Sequence, residues 1–177
     1  MASVSRLGKQ IEEVIATLDA MHAPFALIGG LALASHKVIR ATQDIDLLTD
    51  ADIADQIDVE FVGLGYKCAH RNADAANYLR GDERVDFLFA SRPIARRLLA
   101  NAGQYTTSFG VLRVISSEGL IAFKLQGLVN DPRRTQDLED IRSLLRANRE
   151  TLDMQEVREY FRLFGREPML DELLNAG

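Results

Sequence analysis

Two aspartates lie two residues apart within an otherwise apolar stretch, Thr42-Gln43-Asp44-Ile45-Asp46-Leu47-Leu48. Read as a β-strand, this spacing puts Asp44 and Asp46 on one face while Ile45 and Leu47 enter the opposite layer. Two carboxylates brought so close repel each other, and an apolar sheet is a poor place for either unless a cation compensates. Mg²⁺, or Mn²⁺ in its place, is the natural cation, because it takes one or two carboxylates and completes its shell with water and phosphate oxygens.

A third acid extends the pattern. Arg84-Val85-Asp86-Phe87-Leu88-Phe89 alternates in the same way, with Asp86 placed as Asp46 is in the first strand. Three acids at the polar end of one sheet are a usual means of holding two metal ions for in-line phosphoryl or nucleotidyl transfer. Upstream, Phe25-Ala26-Leu27-Ile28 reads as a short apolar strand that runs into Gly29-Gly30 and then a helix from Leu31 to about Val38. Glycine lets the backbone approach a phosphate closely, and a helix start presents free N–H groups to an anion. Gly29 and Gly30 are therefore expected to hold a triphosphate while Asp44 and Asp46 hold the metal.

Gly29-Gly30, thirteen further residues, Asp44-Ile45-Asp46 and a later apolar strand with Asp86 together resemble the nucleotidyltransferase superfamily built on the DNA polymerase beta-like palm. Within it the chain is most similar to AbiEii-type bacterial nucleotidyltransferases of type IV toxin–antitoxin systems, which carry a basic residue shortly before Asp-x-Asp, here Arg40. The likeness extends over roughly residues 24 to 146. Its later part matches a lysine in an apolar helix, Lys124, then Arg133-Arg134, then Asp137 and Asp140. The resemblance implies that Lys124 contacts the triphosphate, with Arg40 and Asp137 contributing to the same site. A lysine in an apolar helix independently calls for water or an anion. For Asp140 and Arg134 an ion pair that positions the helix is the favoured reading.

The resemblance also implies a metal-dependent transfer of a nucleoside monophosphate from an NTP to an acceptor hydroxyl. A tRNA 3′ end or a protein is the favoured acceptor, a small molecule such as an aminoglycoside remains open, and a cognate antitoxin is a possible partner. The alternative is a catalytically inactive palm that serves as a binding protein or antitoxin-like partner.

The rest of the chain sets the frame. Its 177 residues suit one palm domain with a helical extension, divided near Ile115 into residues 1–115 and 116–177. The expected fold is α/β in the α+β sense: a mixed, largely antiparallel sheet with helices on one face, then a C-terminal helical subdomain. A net charge of −5 argues against a protein that coats nucleic acid through bulk positive charge. No apolar run reaches membrane-span length and the N-terminus lacks a basic-then-apolar leader, so a cytoplasmic protein without membrane contact is expected.

Helices are expected over 3–22, 52–64, about 94–101, from Ser116 or Ser117 onward, to about Ala147, over 153–164, and after Pro168. Strands are expected over 66–71, 77–80, 104–108 and 111–115. Cys68 is expected to be a buried, inert thiol, and His36 a partly exposed helix residue. His70 is expected to be structural, with Lys37, on the helix before Arg40, a weaker candidate than Arg40 for phosphate contact.

Overall fold

The alternation that defines the Asp86 strand also orders the sheet around it. In the computed structural model, which describes residues 5–176, Val85, Phe87 and Phe89 are buried while Arg84 is exposed and Asp86 half-buried. This strand, β5 (Glu83–Ala90), belongs to a seven-stranded sheet with β1 (Phe25–Ile28), β2 (Ile45–Asp50), β3 (Lys67–Arg71), β4 (Ala75–Arg80), β6 (Gly103–Thr107) and β7 (Gly110–Val114). The order is β3-β4-β5-β2-β1-β7-β6. Pairing is antiparallel except between β2 and β5 and between β1 and β7. The sheet is thus mixed and largely antiparallel, as the α/β reading of the sequence expects.

The described residues form two compact units. One comprises residues 5–32 and 41–115, and the other residues 33–40 and 116–176. Ile115 is the last residue of the sheet unit, while the segment 33–40 belongs with the helices that follow it.

In the sheet unit, α1 (Arg6–Ala20) starts where Ser5 accepts a hydrogen bond from the Gly8 amide at 3.0 Å. It buries Ile11, Val14 and Leu18, a stripe of spacings three and four. Residues 3 and 4 of the expected helix lie outside the described residues, and its C-terminal end comes at Ala20, with Met21 as cap and His22 at φ 52. After β2 a single 3-10 turn (Ala51–Ile53), begun by the Asp50 side chain, leads into α3 (Ala54–Gly63). Helix α3 inserts Phe61 against the apolar face of the sheet, its ring 5.0 Å from Phe87, 5.5 Å from Tyr78 and 5.6 Å from Tyr66. Successive side chains on a strand point to opposite faces, so Asp46 and Asp86 belong to the face that α3 does not cover. Helix α4 (Pro93–Ala100) follows β5, with proline in its first turn as its fixed φ favours.

In the helical unit, α5 (Ser117–Asn130) is capped by Ser116, whose side chain accepts from the Gly119 amide at 3.1 Å. It is followed by α6 (Thr135–Ala147), α7 (Met154–Leu163) and α8 (Glu167–Asn175). The short helix α2 (Gly29–Ser35) begins in the sheet unit and ends in this one.

Three expectations are corrected here. The helix expected from Leu31 to about Val38 begins at Gly29 and stops at Ser35, so Lys37 lies beyond it and takes a φ of 65. His36 is buried, its Nδ1 2.9 Å from Ser117 Oγ, and its carbonyl accepts from Asn148 Nδ2 at 2.9 Å. Cys68 is exposed, because β3 is an edge strand whose residues are all open to solvent. No helix among the described residues is long and apolar enough to cross a membrane.

Phe61 is fully buried against three aromatic rings, so removing it leaves a cavity that the rigid sheet does not close. Phe61→Ala is expected to lower unfolding free energy by about 3–5 kcal/mol in chemical denaturation.

Candidate active site

The parallel ladder between β2 and β5 sets Ile45 opposite Val85, Asp46 opposite Asp86 and Leu47 opposite Phe87. Neighbouring strands run about 4.8 Å apart, so the two carboxylates leave adjacent strands side by side on the same face. Asp44 is placed differently from the expectation. Strand β2 begins at Ile45, and Asp44 is an exposed residue of the segment leading into it. The local reason is that the residues before Ile45 have no ladder partner; pairing on both sides of β2 starts with Ile45 and Asp46.

Gly29 lies against this pair. Its φ of +66 is a backbone conformation that favours glycine, and a Cβ there would stand 2.6 Å from Asp46 Cγ. At Gly30 a Cβ would meet Thr42 Cβ and Oγ1, each at 2.8 Å. The glycine pair therefore makes room for the Asp46 carboxylate and for the chain that approaches β2.

Asp86 is held by side chains of its own strand and of the neighbouring β4. Asn77 Nδ2 donates to its Oδ1 at 2.8 Å. Arg84 Nε donates to Oδ1 at 3.0 Å and to Oδ2 at 2.8 Å. The Asp86 carboxylate holds the Arg84 guanidinium above its usual range, and Asp44 and Asp46 add to the effect. Arg84 is thus a resident positive charge of the acid face.

Asn77 and Arg84 were not singled out from the sequence, although both were accessible. The Gly81-Asp82 turn sets Arg80 opposite Glu83, and counting back along the hairpin puts Asn77 opposite Asp86. Arg84 precedes Asp86 by two residues and so shares its face. Across β3 a register shift between Cys68 and His70 breaks that counting and sets His70 opposite Asn77.

The donor set suits a divalent ion. Among the described residues no three acid, histidine or cysteine side chains already converge as a ligand cage. Mg²⁺ requires only one or two carboxylates, however, and the in-register pair Asp46 and Asp86 supplies hard oxygen donors of that number.

The remaining candidates form a second cluster, within the helical unit. Lys124 is only 7% exposed, and its Nζ lies 2.6 Å from Asp140 Oδ2 and 3.3 Å from Asp137 Oδ1. Arg40 grips Asp140 with Nε and Nη2, both at 3.1 Å, and Gln136 donates to Asp140 at 3.0 Å. Arg134 Nε stands 2.7 Å from Asp137 Oδ2 as a charge contact without hydrogen-bond alignment. Gly127 permits this arrangement, since a Cβ there would come within 2.9 Å of Asp137 Oδ2. Burial pushes the Asp140 carboxyl up, but Lys124, Gln136 and Arg40 more than offset it and hold it below the ordinary aspartate range.

A family model described as aminoglycoside-2''-adenylyltransferase matches residues 10–87, under half of the chain. The solution structure of the antibiotic-resistance factor ANT(2'')-Ia is 18% identical, covers 99% of this chain and 100% of its own, and superposes with a TM-score of 0.68. A crystal structure of ANT(2'')-Ia with adenylyl-2''-tobramycin is 19% identical over 90% of this chain and 97% of its own, with a TM-score of 0.67. The lincosamide antibiotic adenylyltransferase LnuA, with lincomycin bound, is 16% identical over 80% and 96%, with a TM-score of 0.58. At these identities the likeness establishes the fold. No curated protein matches the chain by sequence.

Two outcomes follow from the contacts. Gly29→Ala is expected to destabilise the protein by about 1–2 kcal/mol in denaturation, from the backbone alone, and by more if the Asp46 carboxylate cannot yield. Asp140→Asn removes the shared partner of Lys124 and Arg40 and should lower stability at neutral pH by about 3 kcal/mol. Because the folded carboxyl titrates lower than the unfolded one, the wild-type contribution is complete above about pH 4 and is lost as pH falls through the depressed value. Melting temperatures recorded from pH 6 to pH 3 should show this acid loss in the wild type and not in Asp140→Asn.

Proposed function

We propose that the chain is a nucleotidyltransferase that moves a nucleoside monophosphate from an NTP to a hydroxyl of a small, cationic acceptor. The observation that carries this reading is the in-register juxtaposition of Asp46 and Asp86 on the open face of the sheet, with Gly29 fitted against Asp46. The family model and the fold of the antibiotic adenylyltransferases support the reaction class.

Asp46 and Asp86 would hold a divalent ion, with Asp44 at the edge of the same face. Bound there, the ion would neutralise triphosphate charge and lower the pKa of the acceptor hydroxyl. Asp86 would take the hydroxyl proton as general base, and Asn77 keeps its carboxylate oriented for that step. The acceptor oxygen forms its bond to the α-phosphorus as the bond to the β-phosphate oxygen breaks, and pyrophosphate leaves with both bonding electrons. The Gly29-Gly30 backbone would lie beside the phosphates, where no side chain obstructs them.

In the helical unit, contact of Lys124 with a phosphate would require it to leave Asp137 or Asp140, whereas Arg40 retains one third of its side chain exposed. Arg40 is thus the better placed of the two for an anion, and Asp137 serves to hold Lys124.

Charge supports the small, cationic acceptor class. A net charge of −5 and an acidic sheet face attract a polyamine-bearing sugar and repel an RNA end. The comparisons lend support to a small molecule, while the tRNA and protein acceptors and the antitoxin partner have no support from them.

The test is transfer of label from each α-labelled NTP, with Mg²⁺ or Mn²⁺, to a panel of aminoglycosides and lincosamides, to total tRNA and to total protein. Labelled small molecule that disappears in Asp46→Ala is expected. Label in tRNA would overturn the acceptor class and return the AbiEii-like reading; transfer at the wild-type rate by Asp46→Ala would remove the proposed site.

A further inference from the structure

Arg84 is the feature of the acid face that the transfer reaction leaves unexplained. It is an arginine among the very carboxylates that a divalent ion needs. Its Nε bridges both oxygens of Asp86, at 3.0 and 2.8 Å. The two Asp86 oxygens are not equivalent. Oδ1 also accepts from Asn77 at 2.8 Å, whereas among the described residues the only side-chain hydrogen bond to Oδ2 is that of Arg84. Arg84 is 46% exposed and Asp86 19% exposed, so the arginine has solvent into which it can swing and the aspartate does not.

We infer that Arg84 is a resident counter-cation of the acid face that a divalent ion must displace from Asp86 Oδ2, while Asn77 stays on Oδ1 and keeps the carboxylate in place. The inference rests on the proposed metal-binding role of Asp46 and Asp86.

The physical argument is charge balance. Asp46 and Asp86 emerge side by side from adjacent parallel strands, with Asp44 near, and without a cation they repel. Arg84 supplies one positive charge from the same face of β5. A divalent ion supplies two and brings its own ligand water, and a guanidinium and a metal ion held at bonding distance of one carboxylate oxygen repel each other. The arginine therefore lowers metal affinity while it protects the unloaded face from its own repulsion. Asn77 is neutral and bonds the other oxygen, so it opposes nothing and orients Asp86 in both states. Arg84 in this role is a positioning residue.

The experiment is Mn²⁺ binding to the full chain without nucleotide, read as loss of the free-ion signal in electron paramagnetic resonance, for wild type, Arg84→Gln, Arg84→Lys, Asn77→Ala and Asp46→Ala. Removing one partly exposed ion pair that competes with the metal should tighten Mn²⁺ binding by roughly fivefold in Arg84→Gln. Arg84→Lys keeps the charge and should remain within about twofold of wild type. Asn77→Ala should weaken binding, because Asp86 loses the bond that orients it. Thermal melting of each variant reports folding, and the exposure of Arg84 makes its replacement tolerable. Unchanged or weaker Mn²⁺ binding in a folded Arg84→Gln, with Asp46→Ala still losing the ion, overturns the inference and leaves the metal site standing. Binding that survives in Asp46→Ala overturns the metal reading, and the inference with it.

Discussion

The placement of Asp46 beside Asp86 is the constraint on which the sheet unit depends. Parallel strands in register set like residues side by side, and here that rule sets two carboxylates together. Each is held by features that have no other evident purpose. Gly29 adopts a positive φ and lacks a side chain where one would enter the Asp46 carboxylate. Asn77 and Arg84 surround Asp86 from the neighbouring strand and from its own. On the opposite face Phe61, Tyr78 and Phe87 anchor α3 and fix the strands that carry the acids. A sheet so built tolerates the repulsion because the same strands are locked from their other side.

The helical unit solves a related problem with a different outcome. Lys124, Asp137, Asp140, Arg40 and Arg134 place three positive charges with two negative ones, and Lys124, Asp137 and Asp140 are nearly removed from solvent. Burial of charge is tolerated only where partners are close and well aligned, and Asp140 receives Lys124, Arg40 and Gln136 together. The acid face of the sheet, by contrast, is only half-buried and keeps Arg84 at the surface. One cluster is suited to hold helices together, and the other to exchange its cation.

Much of this was legible in the sequence because it rests on period and on hydrophobicity. The alternation in 83–90 gave both the strand and the face of Asp86, and the spacing in α1 gave its buried stripe. The start of β2 was not legible. Thr42 to Asp44 continue a plausible strand, and only the absence of ladder partners ends it at Ile45. Cys68 alternates like a core residue, yet its strand is at the sheet edge, which strand order decides and residue type does not. His36 was read from helical periodicity, whereas its burial comes from Ser117 and Asn148, far away in sequence. Asn77 and Arg84 required register, available from the hairpin turn but only once the turn is trusted. The apolar surroundings of Lys124 called for water or an anion, and a triphosphate was the expected one; Asp137 and Asp140, brought close by α6, fill that place in the fold.

The central claim, that the Asp46 and Asp86 carboxylates form the metal and nucleotide end of a transfer site, is tested most directly by anomalous diffraction. Crystals would be grown with Mn²⁺ and a non-hydrolysable NTP analogue and measured at the manganese edge. The account predicts an anomalous peak within bonding distance of an oxygen of Asp46 and an oxygen of Asp86, with the triphosphate beside Gly29. A well-ordered analogue whose manganese lies elsewhere, with Asp46 and Asp86 bonded as in the unloaded protein, would contradict it.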